Sequence, residues 1–412
     1  MLLLLAFTLL GIGAGTFTGL IPGVHVNNIA PFLIGLTTTS ALDKYEAVAF
    51  IVSMMMTHTF LDFIPATFLG VPEKDTALSV LPAHKFVQRG KGYEVIKLTA
   101  LGSLGALIFC AILIGPSTPL VSPVYELISP FMHILLACIV AAMILSENSW
   151  SKRIGAAVIF LISGFMGLLI LDTNINSGNS ALMPLLGGLF GLSVLLGSIN
   201  TENSIKKQIV TENTIQIKGK VIPIITGASA GFLTGIIPGV GPAQGTFITQ
   251  TMVKEKGNEA FLVGVSGVNT AKALLSFVAL YAIGKPRSGS AVVVNEILNV
   301  SQRELILLIG VSLIAGGTAT IIHLKIGKIF AKRICSIPYR QMCFIVTTGI
   351  IAFSIYYSGL IGLLILSTST SLGLIPSIIK VKRSNCMGVL MIPVILHFSG
   401  MKDIVMKSIG LG

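Results

Sequence analysis

A ten-residue stretch, GTFTGLIPGV from Gly15 to Val24, returns 216 positions later as GFLTGIIPGV from Gly231 to Val240, with seven of the ten positions identical. No helix passes unbroken through Ile-Pro-Gly: Pro22 and Pro238 lack a backbone donor, and Gly23 and Gly239 accept almost any φ. A chain that breaks a helix twice in matching places reads as two copies of one unit. The rest of the sequence has to fit that duplication.

The surroundings of both copies are apolar. Of 412 residues 53% are hydrophobic and 11% charged, with a mean hydropathy of +0.91, which excludes an ordinary soluble domain and points to an all-α polytopic membrane protein. The net charge of +12 does not mark a nucleic-acid binder, because Lys and Arg cluster in short segments between apolar runs. Cys110, Cys138, Cys335, Cys343 and Cys386 show neither CxxC nor Cys/His metal spacing, so they read as packing residues and no metal or cofactor is expected. The opening MLLLLAFTLL lacks a basic start and runs directly into the first motif, so it is expected to belong to the fold.

Apolar runs of about 20 residues span a bilayer. They are expected at 2–21, 47–70, 96–115, 126–146, 154–171 and 181–199, with a shorter one at 26–42. After a polar linker come 221–237, a short 241–253, then 260–284, 303–322, 341–357, 359–379 and 386–398, giving about 10–12 membrane segments. The domain reading is a first repeat at 1–199, a linker at 200–220 and a second repeat at 221–412. With the linker and its Lys206, Lys207, Lys218 and Lys220 placed in the cytoplasm, the loops at 115–125 and 172–180, which lack Lys and Arg, fall outside a plasma membrane. The basic segments at 71–95, 146–153, 325–340 and 380–383 fall inside, while Lys285, Arg287 and Arg303 sit on the disfavoured side. Five full crossings between residue 47 and the linker make an odd number, so the second motif enters from the opposite side. The expectation is two inverted-topology repeats whose re-entrant helical hairpins meet near the midplane, as in secondary transporters.

After each Pro-Gly the chain resumes as a helix, whose free N–H groups and positive end favour an anion. Substrate contacts are expected from Pro22, Gly23, His25, Asn27 and Asn28 at the first tip, and from Pro238, Gly239, Gly241, Gln244 and Thr246 at the second. A second pair of breaks, Gly70-Val-Pro72 and Gly284-Lys-Pro286, is offset by 214 and adds Thr76 beyond Pro72 and Ser288 beyond Pro286. His58 and Asp62, four apart, share a helix face, and Lys272 stands 214 positions after His58, close to Asn269. Ionisable groups inside a membrane are costly and mark function by default. His58 and Asp62 would carry a coupling H⁺ or Na⁺ and Lys272 would face the anion; the competing reading is a hydrogen-bonded knot between the halves. A polyprenyl-phosphate flippase is the rival transport reading. An intramembrane enzyme using His58 and Asp62 is the rival from another class, but HExxH and GxGD are absent and no Gly-x-Ser-x-Gly lies on a suitable turn, so no enzyme is expected.

The G-x-x-x-G-x-x-P-G tip, followed about 50 residues later by a Gly-x-Pro turn running into TALSVLPAHKFVQRGKGYEVIKLTALGS, resembles the large integral membrane subunit of tripartite tricarboxylate transporters. Pro72, Thr76, Ala77, Gln88, Gly90 and Gly92 occupy that pattern, and IIPGVGPAQ at 236–244 with AIGKPRSGSAVVV at 282–294 carry it into the second half. The departures, PGVHVNN at the first tip and no Gly after Pro72, resemble an archaeal-type branch of the family. The resemblance implies a small organic anion, a di- or tricarboxylate, as substrate. It implies a secreted solute-binding protein and a small membrane subunit as partners, and leaves a homo-oligomer open.

Overall fold

The computed structural model describes residues 2–21, 43–70, 76, 78–171, 181, 184–198, 207–211, 217–236, 245–246, 249, 252, 257–333 and 339–408. Among them the secondary structure is helical throughout. The helices are α1 (Leu2–Leu20), α2 (Lys44–Leu61), α3 (Phe63–Phe68), α4 (Val80–Gln88), α5 (Gly92–Ile128), α6 (Met132–Leu145), α7 (Trp150–Leu171), α8 (Ser193–Ser198), α9 (Val221–Ile236), α10 (Gly257–Ile283), α11 (Gly289–Ile297), α12 (Gln302–Arg333), α13 (Tyr339–Ile378), α14 (Gly388–Phe398) and α15 (Lys402–Ser408). Seven helices among the described residues are long and apolar enough to cross a membrane, eight if the bent pair Arg383–Phe398 and Lys402–Ser408 is one span. The expected segments at 26–42 and most of 241–253 lie outside the described residues.

α1 stops at Leu20, two residues before its proline, and α9 is helical to Ile236, the last described residue before the second proline. Proline does not always stop a helix. The expected loop at 115–125 is helical, because α5 runs through Pro116, Pro119 and Pro123 to Ile128. Within this stretch the Thr118 hydroxyl donates to the Ile114 carbonyl at 2.6 Å and Ser117 to the same oxygen at 3.4 Å, whereas the carbonyls that the prolines leave without a helical donor are those of Ile112, Gly115 and Pro119. The expected break at residue 358 is present as a kink in α13 at Gly359, whose φ of 58° and ψ of −148° are open to glycine. α12 continues past 322 to Arg333; at about 1.5 Å per residue it outruns a ~30 Å hydrocarbon core, so its basic end clears the apolar layer.

The chain forms two compact units. The first comprises 1–68, 82–126 and 205–336, the second 69–81, 127–204 and 337–412, so each draws on both halves of the sequence. Lipid gives helices no hydrophobic reason to associate, and close packing through small residues has to hold them. In the first unit α1 packs on α2 through Gly11, Gly15 and Gly19, where a Cβ would collide with Phe50, Met54 and Leu61 respectively. α9 packs on α10 through Gly227, Gly231 and Gly235, where it would collide with Gly264, Ala271 and Leu275. The glycines correspond at an offset of 216. The carbonyls they approach, Phe50, Met54 and His58 against Gly264, Val268 and Lys272, correspond at 214. α2 and α10 form the interior: 94% of each apolar window is buried, against 33% for α1 and 39% for α12.

In the second unit the register also repeats, with partners exchanged between the halves. Gly388 of α14 meets the Phe160 carbonyl and Ser163 of α7, and Gly188 meets the Leu366 carbonyl and Ser369 of α13. Gly167 of α7 meets the Val389 carbonyl, and Gly373 of α13 meets the Leu189 carbonyl. The offsets are 206 along α7 and α13, and 200 along their partners.

Candidate functional site

The crossing of α2 and α10 buries polar groups in an otherwise apolar interior. Asp62 follows the last residue of α2, where Pro65 in α3 supplies no backbone donor to the Leu61 carbonyl. Its carboxylate Oδ2 accepts from the Asn269 side-chain amide of α10 at 3.0 Å; both residues are 2% exposed. The same amide lies 3.5 Å from the Thr59 carbonyl, and the Thr59 and Thr270 hydroxyls are 3.5 Å apart. Deleting one partner of a buried hydrogen bond of this kind costs more than the bond is worth. His58 turns to another neighbour: its Nδ1 is 3.1 Å from the hydroxyl oxygen of Thr18 on α1. Thr18 in turn donates to the Gly15 carbonyl at 3.3 Å, and its counterpart Thr234 donates to Gly231 at 3.1 Å.

Of the expected ligands, Pro22, Gly23, His25, Asn27, Asn28, Pro72, Pro238, Gly239, Gly241 and Gln244 lie outside the described residues. Thr246 is buried. Its neighbour Gly245 packs between Thr234 and Val268, and Thr249 reaches Gly264, so this stretch lies against the α9 and α10 pair. Thr76 is buried in the second unit, its carbonyl accepting from the backbone N–H of Ser79 at 2.9 Å and the Ser79 hydroxyl at 2.7 Å. Asn269 and Lys272 both lie on α10, and Ser288 caps α11 through the Ala291 N–H at 3.1 Å, with Pro286 two residues before it. Ser288 also meets Ser276 of α10 at 3.0 Å. Sequence reasoning missed Thr18, Thr59 and Ser276; the offset of 216 that relates Thr18 to Thr234 was the available signal for the first. An apolar cavity of about 470 Å³ opens between α5 and α9, but apart from Cys110 only Ser117 and Ser229 bring polar groups to its wall, too few to hold an anion.

Residues 5–388 match the sequence profile of the tripartite tricarboxylate transporter TctA family, and so nearly the whole chain is covered. The chain belongs to the TctA family. An uncharacterized protein of Methanocaldococcus jannaschii is similar to it at 29% identity over 402 residues, covering 96% of this chain and 98% of the relative. No solved structure matches. Membership of TctA places the chain among multi-pass membrane components of transporters, and outside the enzymes.

Proposed function

We propose that the protein is a secondary active transporter of a small organic anion, a di- or tricarboxylate, driven by H⁺ or Na⁺. The observation that carries this reading is the Asp62–Asn269 bond: one carboxylate, buried where a helix of the first half crosses a helix of the second. A titratable or cation-binding group at such a crossing is positioned to bias two packings of the halves against each other, which is what coupling needs. Repeated glycine registers in both units support a duplicated architecture, whose inverted topology is part of the proposal. The substrate would bind between the two Pro-Gly tips, with His58 and Asp62 serving the ion.

The plasma membrane, with the 200–220 linker in the cytoplasm, is the proposed setting. The tripartite family supports a secreted solute-binding protein and a small membrane subunit as partners. Labelled citrate and succinate uptake into proteoliposomes, under a pH gradient and separately under a Na⁺ gradient, tests the reading. Wild type should accumulate one of them under one gradient, and Asp62→Asn should abolish the gradient dependence while leaving assembly intact. Gradient-independent behaviour of wild type would refute coupled transport, and an unaffected Asp62→Asn would refute the role of the carboxylate.

A further inference from the structure

The turn that joins α10 to α11 carries positive charge that its surroundings leave unanswered. Gly284, at φ +62°, closes α10 in the left-handed region, and Lys285 and Arg287 follow at once. Both cations sit on one ring: Lys285 Nζ is 5.1 Å and the Arg287 guanidinium carbon 5.0 Å from the centroid of Tyr125. Lys285 also donates to the Tyr125 hydroxyl at 3.2 Å. Among the described residues no carboxylate forms an ion pair with either of them. Two like charges share one aromatic quadrupole, and the positive end of the nine-residue helix α11, capped by Ser288, adds to the same field.

Two further observations point to a missing acceptor. Nε and Nη2 of Arg287 form the edge of the guanidinium that takes a carboxylate side-on through two parallel N–H bonds, and both atoms are buried without a hydrogen-bond partner among the described residues. Ser290, the second residue of α11, is 0% exposed, and its hydroxyl has no partner either. Buried donors are normally satisfied, and three unsatisfied ones within four residues are accounted for together by one anion with several lone pairs. Retaining Lys285 and Arg287 on a turn where topology favours neither follows from the same cause.

We propose that the 284–290 turn is a carboxylate subsite: Arg287 grips one carboxylate through Nε and Nη2, the Ser290 hydroxyl donates to it, and Lys285 supplies charge at the exposed rim. The inference rests on the transport reading above, which it deepens by naming a residue that recognises the substrate. Citrate binding to the full-length purified protein, measured by titration calorimetry at fixed ionic strength, tests it. Arg287→Gln should weaken binding by about tenfold or more, and Ser290→Ala by a few-fold. Arg287→Lys keeps the charge without the fork and should fall between wild type and Gln. An unchanged thermal transition shows that each variant is folded; where Arg287→Gln fails to fold, Ser290→Ala decides. Equal binding by wild type and the Arg287 and Ser290 variants would overturn the subsite while leaving transport standing. Full restoration by Lys would overturn the side-on grip, and wild type that binds neither citrate nor succinate in the same titration would remove the transport reading with it. A dependence on Arg287 seen with phosphatidylglycerol vesicles but not with citrate would assign the turn to a lipid headgroup and overturn the carboxylate.

Discussion

The pairs α1–α2 and α9–α10 are packed alike and furnished differently. Both outer helices precede an Ile-Pro-Gly in sequence, carry three glycines four apart, and turn a threonine hydroxyl back to the middle glycine's carbonyl. Along the inner helices the polar positions disagree. His58 faces Lys272 in the correspondence, Asp62 faces Ser276, and Asn269 and Thr270 face Met55 and Met56. Backbone contact is what the duplication preserves, because helices in lipid are held by close approach. The α2–α10 crossing sets the Asp62 carboxylate against the Asn269 amide, a pairing that the correspondence does not repeat among the described residues. Shared positions therefore answer to the fold, and unshared ones to the task.

The largest effect should come from breaking what is shared. Gly15→Val and Gly231→Val each drive a side chain into the facing helix, at the Met54 carbonyl and at Ala271. Each should cost on the order of 3 kcal/mol or prevent assembly, read as a loss of the folded fraction in detergent. If the two positions are equivalent, the losses should be alike; a collapse at Gly15 with tolerance at Gly231 would break the correspondence.

The unshared positions come next. Asn269→Met writes the first pair's residue into the second and strips the Asp62 carboxylate of its amide, which should destabilise by about 1–3 kcal/mol. Asp62→Ser writes the second pair's residue into the first. A double-mutant cycle between them, followed by thermal unfolding, should return a coupling of about 0.5–3 kcal/mol. Simple additivity would show that the two groups meet without depending on each other.

How much of this was legible in the sequence differs between the units. In the first, the Ile-Pro-Gly sequences announced the repeat, and α1 ends at Leu20, where Pro22 requires it. The Asp62–Asn269 contact was out of reach: the spacing placed each residue on a helix face but said nothing about which helices cross. In the second unit, Ser163 with Gly167 and Ser369 with Gly373 form the same Ser-x-x-x-Gly spacing, yet small residues four apart are too common in membrane helices to stand out. Only the carbonyls they approach revealed the relation. The helical run through Pro116, Pro119 and Pro123 departs from expectation because proline strings usually mark loops.

The smallest effect separates glycines that pack from glycines that do not. Gly13 lies between Gly11 and Gly15, but a Cβ there would meet nothing within 4 Å, and the residue at the matching place in α9 is Ser229 rather than glycine. The duplication thus keeps glycine where helices touch and releases it where they do not. Gly13→Ala should be tolerated and should stabilise by about 0.5–1 kcal/mol through helix propensity alone. Gly11→Ala, two residues away, places its methyl against the Phe50 carbonyl and the Ser53 hydroxyl and should destabilise instead. Opposite signs in the thermal transitions of these two variants would tie the shared glycines to contact; equal signs would mean that the repeat preserves them for some reason other than packing.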